Sequence, residues 1–83
     1  MYSLRFERTA RITRHARQRI QQRQIEDGLL AELIEHGKCR YKNSQHLWIA
    51  EHFEGRDDNL ICVSVVLETE LVVKAVMHKF VWE

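Results

Sequence analysis

The hydrophobic pattern of this 83-residue chain changes its period at Gly37, and this change constrains the fold more than any other feature. Before Gly37, apolar residues recur at the spacing of an α-helix, as Leu29, Leu30, Leu33 and Ile34 do. After Gly37, runs rich in β-branched and aromatic residues are separated by short polar turns. A chain with helices in one half and strands in the other is typical of the α+β class.

Two helices are predicted before Gly37. The first spans about Thr13–Arg23, with Thr13 as its N-cap. Its apolar stripe is narrow and repeats every four residues, at Ile12, Ala16 and Ile20. The second helix spans about Glu26–His36, and Gly37 is expected to end it. Residues 1–9 are expected to form only a short extended lead-in.

Four strands are predicted after Gly37. Their approximate bounds are Lys38–Lys42, Leu47–Phe53, Leu60–Leu67 and Leu71–His78. Consecutive strands that are joined by short turns pair in the antiparallel direction. The predicted architecture is therefore α-α-β-β-β-β, an α+β fold in which two N-terminal helices pack on one face of a four-stranded antiparallel sheet. The length of the chain predicts a single domain, residues 1–83.

Positive charge is concentrated at the start of the chain. Residues 1–23 contain seven arginines and one glutamate, which give +6, and residues 24–83 contain six Lys or Arg and eleven Asp or Glu, which give −5. A nearly neutral protein therefore carries a strong local positive field. Arginine binds phosphate in a bidentate manner, so RNA or another phosphate-bearing partner is the leading hypothesis. The alternative is that the arginines solvate one helix face or pair with acids of the second helix.

Five polar residues of the first helix form a candidate site when they are placed on a helical wheel. Arg14 and Arg17 point away from the apolar stripe, toward solvent or phosphate. His15 and Arg19 lie at the boundary between core and surface, and Arg23 falls near the stripe at the helix end. His15, Arg19 and Arg23 share one side, because they are four residues apart. The alternative is structural, with a boundary or capping histidine and arginines that tether sheet carbonyls or acids.

The last predicted strand adds two candidates, Lys74 and His78. Because side chains alternate along a strand, they are expected to share a face with Val72 and Val76, about 13 Å apart. They would line one groove without contacting the same atom. The alternative places both near an open sheet edge, where Lys74 hinders aggregation. The same face is apolar enough to be a homodimer surface.

The sequence contains no complete motif for nucleotide binding, for a catalytic serine or for a metal site. There is no glycine-rich phosphate loop and no nucleophile elbow. His36-x-x-Cys39 has metal-ligand spacing, but no second pair completes a zinc set, so no metal and no cofactor is predicted. No apolar run reaches the roughly 18 residues of a membrane span. Two cysteines without a secretory signal predict a cytoplasmic protein with free thiols, and the alternative, one disulfide between Cys39 and Cys62, is not decided by their spacing.

Two segments resemble a known family. The helix motif is His15-Ala16-x-x-Arg19-Ile20-x-x-Arg23-x-Ile25. It resembles the signature of domain-of-unknown-function family 4258, and the segment 72–78 is similar to the closing strand of that family. The likeness extends from about Ile12 to His78, which is nearly the whole chain.

The resemblance implies a compact fold similar to RelE-type toxins and other small bacterial ribonucleases, in which paired helices pack on an antiparallel sheet. Such proteins occur alone or as domains of larger toxins, so a cognate antitoxin or immunity protein is an implied partner. The residues that match the family by position are His15, Arg19, Arg23, Lys74 and His78. Family members often have a hydroxyl residue where this chain has Ala75, which implies weak or no activity if that hydroxyl contributes elsewhere.

The sequence supports three hypotheses of function. In the first, the protein is a metal-independent endoribonuclease in which His15 and His78 act as general acid and general base. Arg19, Arg23 and Lys74 would stabilise the charge on the phosphate. In the second, the basic helix binds RNA or an acidic partner protein without catalysis. In the third, the domain is structural. The aromatic residues available to stack on bases from the sheet are Tyr41, Trp48 and Phe53.

Overall fold

The computed structural model describes residues 1–82, which form two helices and six strands. The helices are α1 (Arg14–Gln22) and α2 (Asp27–His36). The strands are β1 (Tyr2–Ser3), β2 (Arg8–Ile12), β3 (Lys38–Tyr41), β4 (His46–Glu51), β5 (Ile61–Leu67) and β6 (Leu71–Met77). The α+β class is confirmed, and the two helices and the last four strands lie within one or two residues of their predicted bounds.

The sheet differs from the prediction. Its strand order is β1-β2-β6-β5-β4-β3, and it is a six-stranded mixed sheet curled into a half-barrel. The predicted four-stranded antiparallel sheet is therefore wrong. β3 to β6 do pair antiparallel in chain order, but β2 pairs with β6 in the parallel direction, with Ala10 opposite Leu71 and Ile12 opposite Val73. β1 pairs antiparallel with β2 and completes that edge.

Strand β2 was missed by the sequence analysis, because residues 1–9 were predicted to form only an extended lead-in to the first helix. In β2 only Ala10 is buried, and Ile12 is partly buried against the core. Two apolar residues among arginines give too short an alternation to indicate a strand by themselves. The partner of β2 is distant in sequence, because parallel strands need a long crossover connection, and here that connection contains both helices.

A β-bulge interrupts the pairing of β5 and β6. Val73 pairs with Val65 and Ala75 pairs with Ser64, so Lys74 is the extra residue of β6. Bulges re-aim side chains and are common beside functional sites. Lys74 is therefore placed by the bulge and not by the regular alternation of the strand.

The bulge also changes which residues share a face. Val76 packs in the core, whereas Val72 pairs with Val66 on the opposite face of the sheet. The prediction that Lys74 and His78 share one face with both valines is therefore wrong. It assumed strict alternation, which a bulge breaks.

The core lies between the helices and one face of the sheet. α1 contributes Ala16 and Ile20, and Thr13 caps its N-terminus as predicted, because the Ala16 amide donates to Thr13 Oγ1 at 3.2 Å. α2 contributes Leu30, Leu33 and Ile34. The strand residues of this core are Ala10, Leu47, Ile49, Ile61, Val63, Val65, Leu71, Val73 and Val76. These apolar contacts, and not helix propensity, hold the two short helices in place.

Gly37 ends α2 as predicted, but for a different physical reason. Its φ is −67°, so it does not adopt the left-handed conformation that usually selects glycine at a helix end. A Cβ at this position would lie 2.5 Å from the Leu33 carbonyl oxygen and 2.7 Å from Ile49 Cγ2. Glycine is required here because the end of α2 approaches β4 closely.

The segment after β1 is fastened to α2. The Glu35 carboxylate accepts hydrogen bonds from Ser3 Oγ at 2.6 Å and from the Leu4 amide at 2.7 Å. Arg5 Nη1 donates to the Gly37 carbonyl at 2.7 Å and so satisfies the C-terminal end of the helix. Burial alone would raise the pKa of Glu35, but the hydrogen bonds from Ser3, Leu4 and Arg5 hold it below its ordinary value.

Candidate nucleic-acid interface

The first three arginines of the basic N-terminal segment have structural partners. Arg5 satisfies the end of α2, and Arg8 Nε donates to the Glu68 carbonyl at 2.7 Å. Arg11 Nε pairs with the Glu70 carboxylate at 3.1 Å. These three arginines therefore bind carbonyls and an acid of the protein itself, as the structural alternative predicts. Only part of the positive charge of residues 1–23 is left to bind a ligand.

α1 carries the remaining basic side chains, and most of them lie on its solvent face. Arg14, His15, Arg17 and Arg19 are exposed, and the helix contains no acidic residue. Arg17 lies on the side of α2, where Nη1 is 3.8 Å from Asp27 Oδ1, and such an exposed ion pair is weak. Within residues 1–82, the side chains of Arg14, His15 and Arg19 have no hydrogen bond and no ion pair. The positive charge of this face is therefore largely unneutralised.

Arg23 lies at the end of α1, where it is half-buried. Its carbonyl accepts a hydrogen bond from Arg56 Nη2 at 2.9 Å, and Arg56 pairs with Asp58 at 2.9 Å. The hydrogen bond from Arg56 lowers the pKa of Asp58 against the opposing effect of burial, and the charge of His78 lowers it further. Sequence reasoning missed Arg56, because nothing distinguishes it within its polar loop.

The two predicted catalytic histidines lie near opposite ends of α1. His15 is exposed in the first turn. His78 is half-buried after β6, and the next residue, Lys79, donates its amide to the Asp58 carbonyl at 2.8 Å. Arg56 pairs with Asp58 and donates to the Arg23 carbonyl at the end of α1. The helix is about 12 Å long between His15 and Arg23. The acid and base roles of the two histidines stay a prediction, which requires both side chains to reach one reacting group.

Lys74 belongs to a different surface, the face of the sheet turned away from the helices, termed the open face. The row that crosses this face from β3 to β6 is Arg40, Trp48, Ser64 and Ala75. A groove of about 260 Å³ lies on it, and its polar and aromatic lining residues are Lys42, His46, Trp48, Ser64 and Lys74. The structure thus brings Lys74 close to residues that the sequence did not connect with it.

A second cleft of about 260 Å³ adjoins Trp48, lined by Arg40, Trp48, Phe80, Val81 and Trp82. The rings of Phe80 and Trp82 meet edge to face, with 5.0 Å between their centroids. The Arg40 guanidinium lies 5.1 Å from the Trp82 ring centroid, and the Lys38 ammonium lies 5.8 Å from it. Sequence reasoning missed this cleft, because no pattern in residues 78–82 shows that they fold back onto the sheet.

Only one of the three aromatic residues considered for base stacking lines these clefts. Trp48 is half-buried between them. Phe53 packs against the core, and Tyr41 is 52% exposed but pairs with the core residue Leu47, so it is not on the open face. Of these three residues, Trp48 is therefore the one that lies on the open face.

An acidic pair lies near the C-terminal half of α2. Burial raises the pKa of Glu51, and the neighbouring Glu32 raises it further, while the charge of His36 opposes both. Glu51 Oε1 is buried, and no atom of residues 1–82 forms a hydrogen bond with it. In that part of the chain, no group of three or more His, Cys, Asp and Glu side chains is placed to hold a metal ion.

Both cysteines are free, as predicted. Cys62 is buried in β5, and burial raises the pKa of its thiol to about 12. Cys39 is half-buried, and burial raises the pKa of its thiol as well, against the charge of Arg5. Neither cysteine has the lowered pKa of a reactive nucleophile.

Comparison of the chain with models of protein families, with curated proteins and with solved structures gives no match. The resemblance to family 4258, and the toxin-like function that it implies, stay predictions. Neither α1 nor α2 is long and apolar enough to span a membrane, and residues 1–82 contain no other α-helix.

Proposed function

We propose that this protein is an RNA-binding domain and that the exposed face of α1 binds the phosphate backbone. The observation that carries the proposal is the largely unneutralised charge of Arg14, Arg17 and Arg19, which lie exposed on a helix without acidic residues. The only ion pair among these three side chains and residues 1–82 is the 3.8 Å contact of Arg17 with Asp27. The positive charge of this face is therefore available to bind a polyanion.

Phosphate suits this face better than scattered surface carboxylates do. An exposed arginine gains little from one carboxylate in water, typically about 0–1 kcal/mol. A nucleic acid presents a row of phosphates, and it releases condensed counterions when arginines replace them. The nine residues of α1 are about 13 Å long. That length corresponds to about four phosphates of one strand.

The test is the salt dependence of RNA binding, followed by the anisotropy of a short labelled RNA of mixed sequence. Binding is expected to weaken steeply between about 50 and about 200 mM salt. The triple variant Arg14→Gln, Arg17→Gln, Arg19→Gln removes three phosphate contacts. It should reduce the slope of log K against log salt concentration by about 2, since each contact contributes roughly 0.7 on a single strand.

The matched control is Lys79→Gln, which removes one exposed positive charge outside α1. It should leave the slope nearly unchanged, whereas Arg14→Gln alone should lower it by about 0.7. Failure to bind RNA at low salt would contradict the proposal. So would a triple variant that binds with the affinity and the salt slope of the wild type.

Endoribonuclease activity and an acidic partner protein stay predictions, and the same proteins test them. Incubation with labelled total RNA in EDTA would detect metal-independent cleavage. Loss of cleavage in both His15→Ala and His78→Ala would support the acid and base pair, in spite of the distance between the ends of α1. Cleavage that survives both substitutions would contradict that assignment.

A further inference from the structure

We infer that the open face binds single-stranded RNA, with one base stacked on Trp48 and the adjoining phosphates held by Lys42 and Lys74. The inference rests on the RNA binding proposed for α1. It adds the class of RNA, which must have unpaired bases, and the position where a base lies.

The first argument is charge complementarity. The groove beside Trp48 is lined by two lysines, Lys42 and Lys74. Among the residues that the structure describes, no aspartate or glutamate lines either cleft. A groove that combines positive charge with an aromatic ring matches the way in which proteins bind single strands, with phosphates along the rim and bases on the ring.

The second argument is the space beside Trp48. Its cross-strand neighbour on β5 is Ser64, and the next residue in the row, on β6, is Ala75. These side chains are small, and the groove of about 260 Å³ opens beside the indole. The volume is slightly below the about 300–1,000 Å³ of sites for drug-sized ligands, so a smaller planar ring is the suitable occupant.

The third argument excludes two other occupants. Aromatic clusters often bind cations, but Arg40 and Lys38 already lie against the Trp82 ring, so a cationic ligand would be repelled. A fully paired duplex cannot place a base on Trp48, because its bases are stacked inside the helix. A single strand of RNA is anionic and has unpaired bases, so neither objection applies to it.

The fourth argument is continuity with α1. The Thr13 amide donates to the Val73 carbonyl at 3.1 Å, and Thr13 Oγ1 donates to the Lys74 carbonyl at 3.3 Å. α1 therefore begins directly beside Lys74, and Arg14 is its first residue. One RNA strand that leaves the groove at Lys74 can continue along the basic face of α1.

The test uses the fluorescence of Trp48. The chain has two tryptophans, so Trp82→Phe leaves Trp48 as the single indole and keeps an aromatic ring in the second cleft. A single-stranded RNA should quench the Trp48 emission with the same dissociation constant that anisotropy gives. The duplex of the same sequence should bind to α1 without quenching Trp48.

Three substitutions separate stacking from charge. Trp48→Leu should weaken single-strand binding by about 5- to 150-fold, the effect of losing one stacked base, and leave duplex binding unchanged. Ser64→Leu should act in the same direction by filling the groove, without removing a ring or a charge. The control Tyr41→Leu removes an exposed ring that is not on the open face, and it should bind like the wild type.

The outcomes distinguish this inference from the function on which it depends. If RNA binding depends on the α1 arginines, but Trp48 is not quenched and Trp48→Leu and Ser64→Leu bind normally, only the inference fails. If no RNA is bound, both fail. If Trp48→Leu is unfolded by circular dichroism, the quenching of Trp48 in the folded Trp82→Phe protein decides the question.

Discussion

Replacing Gly37 with alanine should destabilise this domain, whereas replacing Gly28 with alanine should stabilise it. A Cβ on Gly37 would lie 2.5 Å from the Leu33 carbonyl oxygen and 2.7 Å from Ile49 Cγ2. The Leu33 oxygen cannot move away cheaply, because it accepts the hydrogen bond of the Gly37 amide at 2.8 Å. A Cβ on Gly28, near the start of α2, would contact nothing within 4 Å.

The magnitudes follow from these contacts. Overpacking a tight site costs about 1–3 kcal/mol, and a strained or broken Gly37 hydrogen bond adds about 1 kcal/mol, so we expect a loss of about 2–4 kcal/mol. Gly28→Ala should gain up to about 1 kcal/mol from helix propensity. In a domain of this size, the midpoint of thermal unfolding should fall by about 10–30 °C for Gly37→Ala and rise by a few degrees for Gly28→Ala.

The assay is urea unfolding of both variants and the wild type, followed by circular dichroism. The midpoints should move in opposite directions, while the dependence of the free energy on urea stays the same, because the surface exposed on unfolding is unchanged. The φ of Gly37 is −67°, which alanine adopts without strain, so any loss comes from the close contact. A Gly37→Ala protein as stable as the wild type would refute the reasoning.

Three further predictions concern titratable groups. Glu35→Gln should lower stability at pH 7, because the ionised Glu35 carboxylate, with its lowered pKa, stabilises the fold. The difference from wild type should vanish as the pH falls through that lowered pKa and the carboxylate is protonated. Glu51→Gln should raise stability at pH 7 by up to about 1 kcal/mol, and this gain should also vanish at low pH, since the raised pKa of Glu51 marks a penalty on its charged form. Both are checked by urea unfolding across pH. A thiol reagent should label Cys39 slowly in the folded protein and Cys62, with its pKa of about 12, only after unfolding, as mass spectrometry of the labelled protein would show.

The parts of the fold that the sequence predicted depend on local pattern. The apolar spacing of Leu30, Leu33 and Ile34 belongs to one helix, and the β-branched residues of β5 and β6 belong to a hairpin of neighbouring strands. Each of these patterns is complete within a short window. The N-cap role of Thr13 was predictable for the same reason.

The parts that the sequence did not predict depend on contacts between distant segments. β2 is a strand because of β6, and the bulge at Lys74 appears only in the register of β5 and β6. The same holds for the candidate site. Arg5 and Arg14 look equivalent in the sequence, yet Arg5 donates to the Gly37 carbonyl and Arg14 is exposed. The position of Trp82 beside Arg40 depends on a chain reversal that no motif marks.

The parallel pairing of β2 with β6 has a consequence for the order of assembly during synthesis. β3 to β6 can associate as hairpins as soon as they are made, but β2 has to wait for β6, and contacts of such long range form slowly. The pairing of β2 with β6 also places the start of α1 beside Lys74. A nascent chain that lacks β6 therefore has the arginines of α1 but lacks Lys74 and its side of the groove beside Trp48. The proposed RNA site forms only after β6 has been synthesised and has paired.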